Sequence, residues 1–229
     1  MSTDRLFVLW TKPEEQRRAV VGELWRDATG VYKFAYIDDA MTLVSLRRGG
    51  FRMMAEFPDY RTRANPYQAA QLFPTFAQRI PSPKRPDYRG MMSGWGVERP
   101  DDLLDVLAHS GGILATDRIE LAEWRPENDE LCEPLLFRLA GEMFFYDAAK
   151  SLRVGDQLAV RLDDDNKFDE CATLVLSNGQ PVGYLPRQYS RFVSRLLSAQ
   201  VSLLAKVVRR LIVPEDRGRW VICLSRTQA

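Results

Sequence analysis

An acidic segment that holds two prolines divides the sequence, and this division limits the possible folds more than any other feature. Residues 122–134 read AEWRPENDELCEP and contain five acidic residues. The segment matches neither the two-residue repeat of a strand nor the 3.6-residue repeat of a helix. A chain of 229 residues suits one large domain or two small ones. We therefore predict a domain over residues 1–122, a linker over 123–134 and a second domain over 135–229.

The charge of the chain changes sign across this segment. Residues 1–134 contain 18 basic and 21 acidic side chains, whereas residues 135–229 contain 14 and 10. The formal net charge of the whole chain is only +1. A balance this close to zero argues against a protein that coats nucleic acid by charge alone. Any contact with nucleic acid is therefore expected to be local.

Residues able to carry catalysis or hold a metal are few. His109 is the only histidine, and the three cysteines form no C-x-x-C pair, which argues against a structural zinc site. We expect His109 to have a structural role near a helix terminus. The acidic run 163–165 lacks the spaced glycine and glutamate of a calcium loop, so a solvated turn is favoured over a metal site. Phosphate-binding, kinase, serine-hydrolase and zinc-protease motifs are also missing. The sequence predicts a non-enzymatic protein with no cofactor.

Targeting and membrane signals are also missing. The N-terminus, MSTDRLFVLW, is not a signal peptide, and no segment approaches the about 20 apolar residues of a membrane helix. Scattered cysteines fit a reducing compartment. We therefore expect a soluble cytoplasmic protein without a membrane partner.

Apolar patterning predicts the elements of the first domain. Three short strands are expected, and the seven prolines between Pro58 and Pro100 favour an irregular segment. The acidic residues that begin DDLLDVLAHS, and the glycine pair after it, indicate a helix. The predicted strands are 5–10, 19–25 and 31–36, with at most a short helix around 67–78 and a longer helix from 101 to 110.

The second domain is predicted to be mainly strands with one amphipathic helix. Ser177-Asn178-Gly179 is typical of a hairpin turn. Apolar residues between 187 and 197 recur at helical spacing. The predicted strands are 135–146, 156–162, 172–176, 182–185, 201–213 and 219–224, with PEDRG joining the last two.

Arginines on the predicted helix, together with nearby aromatics, suggest a ligand. Arg187, Arg191 and Arg195 recur every four residues and would line one stripe of the helix. Such a stripe can bind phosphates, although a solvated helix face has the same pattern. The FFY sequence at 144–146 and Phe168 in a polar loop add aromatics beside this charge. Aromatic side chains beside positive charge are typical of sites where the bases of a single strand stack on the protein.

The order of motifs in the second part resembles the HIRAN domain over about residues 135–225. The motifs are G-E-M-F-F (141–145), G-D-Q-L (155–158), D-N-K-F-D-E-C-A (165–172) and G-Q-P-V-G-Y-L-P-R (179–187), followed by the helix. The resemblance implies an OB-like or SH3-like β-barrel that captures the free 3′ end of single-stranded DNA. Together with the first domain, it predicts an α+β protein: a small antiparallel sheet with helices, then a β-barrel with an amphipathic helix.

Ligand contacts follow from the resemblance position by position. The family's aromatic pair falls on Phe144 and Phe145, and its Asn-x-Tyr-Asp loop falls on 166–169. Asp169 would accept a hydrogen bond from the terminal 3′ hydroxyl, and Arg187 would contact a phosphate. Met143 stands where the family has arginine, and phenylalanines replace three tyrosines. With Arg191 from the stripe, the predicted nucleic-acid-binding residues are Phe144, Phe145, Asn166, Phe168, Asp169, Tyr184, Arg187 and Arg191.

Motifs in residues 5–122 are similar to the N-terminal region of HipA-type toxin kinases. They include V-V-G-E-L (20–24), L-F-P-T-F-A-Q-R-I-P (72–81) and D-D-L-L-D-V-L-A-H-S-G-G (101–112). The kinase core is missing, so no phosphotransfer is expected. This resemblance implies an alternative function in a toxin–antitoxin system. The chain would then be an adaptor that acts in trans on a HipA-like kinase or on its antitoxin or repressor.

Overall fold

The computed structural model describes residues 4–13, 18–210 and 220–227. The chain divides into two compact units, Met1–Trp124 and Arg125–Ala229. The boundary lies within the acidic segment, and residues 125–134 belong to the second unit. None of the helices in the described ranges is long and apolar enough to cross a membrane.

The first unit is built on a five-stranded antiparallel sheet with the strand order β4-β3-β2-β1-β5. Phe34, Phe57 and Phe76 are fully buried against it, with ring centroids of the first two 4.3 Å apart. Burial of rings this large is a main source of hydrophobic stabilisation. The strands are β1 (Arg5–Thr11), β2 (Arg18–Arg26), β3 (Tyr32–Tyr36), β4 (Tyr67–Ala69) and β5 (Ile119–Glu123).

Four helices accompany this sheet: α1 (Ala40–Arg48), α2 (Pro74–Ala77), α3 (Tyr88–Gly94) and α4 (Leu103–Ser110). The prediction of α4 is confirmed, since Asp102 accepts a hydrogen bond from the Leu104 amide and Gly111 ends the helix at φ 75°. His109 lies in its last turn, with Nδ1 2.9 Å from the Asp105 carbonyl oxygen. The short helix expected around 67–78 is confirmed as α2, but the rest of the irregular segment expected between Pro58 and Pro100 is partly wrong, because β4 and α3 also lie within it.

The second unit is a curled six-stranded antiparallel sheet with the strand order β6-β11-β10-β7-β8-β9. A bridge between Ala140 and Tyr184, with N···O distances of 2.9 and 2.7 Å, joins the segment after β6 to β9. It links the two edges of the sheet, and the predicted barrel architecture is confirmed. The strands are β6 (Leu135–Arg138), β7 (Gln157–Leu162), β8 (Thr173–Ser177), β9 (Gln180–Tyr184), β10 (Leu203–Arg210) and β11 (Trp220–Arg226).

The strand predicted from 135 to 146 is wrong in its second half. β6 ends at Arg138, and Glu142–Phe145 form a 3₁₀ turn that leads into helix α5 (Tyr146–Ala149). Gly141 causes the change, because its φ of 65° is left-handed and turns the chain away from the sheet. A Cβ at this position would lie 3.1 Å from the ring of Tyr184. The aromatic residues 144–146 therefore lie on a helical turn.

Local signals predicted the hairpin turn and the helix of the second unit correctly. Asn178 and Gly179 both have positive φ, as a two-residue hairpin of type I′ requires, and they connect β8 to β9. Helix α6 (Arg187–Ser198) buries Tyr189, Phe192, Val193 and Leu196, as its pattern predicts. The PEDRG link and the predicted strand ends at 211–213 and 219 lie outside the described residues.

Candidate nucleic-acid interface

Two aromatic side chains project from the helical turn after Gly141, one outward and one inward. Phe144 is 84% exposed, whereas Phe145 is half-buried and packs on Tyr184 with ring centroids 5.7 Å apart. The turn is held by a hydrogen bond from the Phe144 amide to the Gly141 carbonyl oxygen. An exposed ring on a fixed turn leaves its face available to a flat ligand.

Tyr184 connects this turn to the polar loop of residues 163–171. Its hydroxyl donates a hydrogen bond of 2.9 Å to Asp163 Oδ2, which also accepts one of 3.0 Å from Asn166 Nδ2. Burial, together with the Asp163 carboxylate, raises the pKa of Tyr184 above its usual value, so the phenol stays protonated and remains a donor. Asp163 is therefore the residue that fixes the aromatic turn to the loop.

Asn166 shapes the loop so that Phe168 points outward. Its side-chain oxygen accepts hydrogen bonds from the amides of Phe168 (3.0 Å) and Asp169 (3.1 Å). This arrangement is an Asx turn, which Asn forms readily. The Phe168 side chain is 76% exposed. A second large aromatic thus stands on the surface at a fixed position of the backbone.

Asp169 brings the loop next to α6. Its Oδ1 accepts a hydrogen bond from the Cys171 amide, while its Oδ2 lies 3.9 Å from Arg187 Nε. That separation is a long ion pair and exceeds a hydrogen bond, so Oδ2 retains capacity to accept. The Arg187 side chain is 67% exposed. The structure thus brings together seven of the eight predicted residues: Phe144, Phe145, Asn166, Phe168, Asp169, Tyr184 and Arg187.

The eighth residue, Arg191, is placed differently from what the stripe predicted. Its Nη1 lies 3.1 Å from Glu127 Oε1 in the acidic segment. Arg195, one turn further, pairs with Glu130 and also donates to the backbone carbonyl oxygens of Glu127 and Asp129. The three arginines are therefore not equally open to phosphates. Two of them pair with glutamates that lie 64 and 65 positions earlier in the sequence.

These two ion pairs differ in what they imply. Arg191 and Glu127 are both more than 70% exposed, so their pair contributes only about 0–1 kcal/mol and a phosphate could replace the carboxylate. Arg195 donates hydrogen bonds to two backbone carbonyl oxygens in addition to its ion pair with Glu130, which indicates that it anchors residues 127–130 to α6. Sequence reasoning missed both contacts, although the opposite charges of the two segments were a signal for them.

For the acidic run 163–165, the sequence predicts a solvated turn and does not indicate the structural role of Asp163. Asp163 uses its Oδ2 for both Tyr184 and Asn166, so it acts as an acceptor within the protein. In the part of the chain that the structure describes, no group of three or more His, Cys, Asp or Glu side chains is arranged to hold a metal ion.

Comparison with known families identifies the second unit. The family model of the HIRAN domain matches residues 138–217. The chain carries a HIRAN domain. The matched residues contain both the aromatic turn and the loop of the interface, and they lie within the second compact unit. No curated protein matches the chain, and the resemblance of residues 5–122 to HipA-type kinases stays a prediction.

Two solved structures are similar to a part of the chain. One is a crystal structure of a protein from Lactobacillus plantarum, with 18% sequence identity. The match covers 41% of this chain and 95% of that protein's chain, with a TM-score of 0.34. The other is a crystal structure of the HIRAN domain of human HLTF, with 14% sequence identity. The match covers 41% of this chain and 74% of that chain, with a TM-score of 0.33.

Proposed function

We propose that the HIRAN domain of this chain binds single-stranded DNA without catalysing a reaction. Bases stack on Phe144 and Phe168, and Arg187 contacts a phosphate. The observation that carries the proposal is that two phenylalanine side chains are 84% and 76% exposed, each on a turn of fixed geometry. Successive side-chain contacts connect these two turns to each other and to Arg187. Base stacking on aromatics contributes about 1–3 kcal/mol per base and tolerates any sequence.

A single strand suits this face better than a duplex. Stacking on Phe144 or Phe168 needs the flat face of a base, which is covered by its neighbours inside a duplex. Two positions add less positive charge to this face than expected: Arg191 is paired with Glu127, and Met143 stands where the family has arginine. A small number of phosphate contacts gives weak non-specific attraction, so the aromatic residues supply most of the affinity.

The same geometry supports capture of a 3′ end. Asp169 Oδ2 lies next to Arg187 but is not hydrogen-bonded to it, so it can accept a bond from a terminal 3′ hydroxyl. An internal phosphodiester has no such hydroxyl, and a 3′ phosphate would bring negative charge against the carboxylate. The nearby guanidinium would then hold the adjacent phosphate of the strand.

Discrimination between 3′ ends tests this function. Fluorescence anisotropy would be measured with two about 12-residue oligonucleotides of one sequence, ending in a 3′ hydroxyl or a 3′ phosphate, in about 50 mM salt where phosphate contacts are strong. We expect the hydroxyl form to bind roughly tenfold more tightly, because a hydrogen bond to a charged group contributes about 1.5–3 kcal/mol. The same oligonucleotide with a 5′ phosphate serves as the control and should bind like the hydroxyl form.

Each outcome separates the two parts of the proposal. Equal binding of both 3′ forms would contradict end capture by Asp169 while leaving strand binding in place. Negligible binding of every oligonucleotide in about 50 mM salt would contradict strand binding itself, since low salt favours any phosphate contact.

A further inference from the structure

Arg161 lies in the same cross-strand row as Tyr184. On β7 and β8, Arg161 is directly opposite Leu174, and on β8 and β9, Leu174 is directly opposite Tyr184. Residues opposite each other in antiparallel strands project from the same face of the sheet. Two strand spacings of about 4.8 Å place the backbone of Arg161 about 10 Å from that of Tyr184.

The position of Asp163 gives a second, independent indication of this face. Successive side chains of a strand alternate between faces, so Asp163, two residues beyond Arg161 along the chain, continues the direction of Arg161. Asp163 accepts the hydrogen bond from the Tyr184 hydroxyl. The guanidinium of Arg161 therefore emerges on the side of the sheet that carries the aromatic turn and the loop.

The surroundings of Arg161 differ from those of the helical arginines. Its side chain is exposed, and it forms no hydrogen bond or ion pair with any residue in the ranges 4–13, 18–210 and 220–227. Asp163, on the same face, is already bonded to Tyr184 and Asn166. Arg191, by contrast, is paired with Glu127. Because no carboxylate of the described residues pairs with this guanidinium, its N–H groups are available to bind an external anion.

We propose that Arg161 is a second phosphate contact of this face, so that the bound strand continues from the two phenylalanines past Tyr184 onto β7. This inference rests on the proposed function. The guanidinium would bind a phosphate oxygen pair through two parallel N–H groups, as arginine commonly does. Contacts to the backbone fix the path of a strand without reading its sequence. Arg161 thereby supplies a cation on a face where Met143 provides none.

The salt dependence of binding tests this role more specifically than affinity alone. Binding of a 3′-hydroxyl oligonucleotide of about 12 residues would be measured by anisotropy for the wild type and for Arg161→Gln at several salt concentrations. We expect roughly three- to tenfold weaker binding in low salt. We also expect the slope of log K against log salt to fall by about 0.7, the value for one phosphate contact on a single strand.

Arg153→Gln is the matched control. Arg153 is also exposed, but it lies in the turn before β7, at the opposite end of that strand from Asp163. This variant should keep both the affinity and the slope of the wild type. Thermal melting of both variants should match the wild type, since each replaces an exposed side chain.

The outcomes distinguish this inference from the function on which it rests. If Arg161→Gln binds like the wild type, or if Arg153→Gln weakens binding equally, Arg161 is not a specific contact, and strand binding by the phenylalanines stands. If the wild type binds no single strand, both proposals are wrong. A lower affinity with a reduced slope in Arg161→Gln alone supports the contact.

Discussion

Replacing both Phe144 and Phe168 with alanine is expected to weaken binding of single-stranded DNA by at least about thirtyfold. Each stacked base contributes about 1–3 kcal/mol, and about 1.4 kcal/mol corresponds to a tenfold change in affinity. The variant should remain folded, because the two side chains are 84% and 76% exposed and contribute little to the core. Anisotropy titration with one labelled oligonucleotide measures the loss.

Val154→Ala provides the matched control for this double variant. Val154 is 61% exposed on the same unit but lies in the turn before β7, away from the aromatic turn and the loop. It should bind like the wild type. Wild-type affinity in the double variant would show that the exposed phenylalanines are not stacking platforms. Loss of the melting transition would show instead that they support the fold.

Substitution of Gly183 by alanine is expected to damage both the barrel and the binding face. An added Cβ would lie 2.6 Å from Leu139 Cγ and 2.7 Å from the Ala140 carbonyl oxygen. Ala140 is the residue that bridges to Tyr184. Because the backbone atom cannot move without breaking that bridge, we expect a loss of about 1–3 kcal/mol in the free energy of unfolding. Weaker DNA binding should accompany it, since Tyr184 holds Asp163.

Urea denaturation followed by circular dichroism measures this change, with Gly90→Ala as the control. Gly90 lies in α3 of the first unit, and an added Cβ there meets no atom within 4 Å. Alanine in a helix is favoured over glycine by about 1 kcal/mol, so this control should be neutral or slightly stabilising. A Gly183→Ala protein as stable as the wild type would contradict the closure of the barrel through Ala140 and Tyr184.

The parts of the fold that the sequence predicted well depend on local chemistry. The hairpin at Asn178-Gly179 needs two residues of positive φ, and α6 follows from apolar residues at helical spacing. The closure of the barrel depends instead on a bridge between residues more than 40 positions apart, Ala140 and Tyr184, and a single-sequence pattern does not show such pairing. Helix α1 was missed, although Asp39 before it is a recognisable N-cap.

The sequence predicted residues that the structure places near one another, but not the contacts that connect them. Motif order placed Phe144, Phe168 and Arg187 in one family pattern, and the structure brings them to one interface. The role of Asp163 depends on a hydrogen bond to a strand 21 residues later. The pairing of Arg191 with Glu127 is longer in range still. Spacing along a helix shows which side chains share a face, but not which distant carboxylates meet them.

The most direct test of strand binding by the HIRAN domain is to map the contact on the protein. Amide chemical shifts of the ¹⁵N-labelled full chain would be followed by NMR while a 3′-hydroxyl single strand of about 12 residues is added. We predict that the largest changes fall on residues 142–146, 163–171 and 184–187, which contain the aromatic turn, the loop and the start of α6. Changes confined to residues 4–124, or no changes at saturating oligonucleotide, would contradict the account.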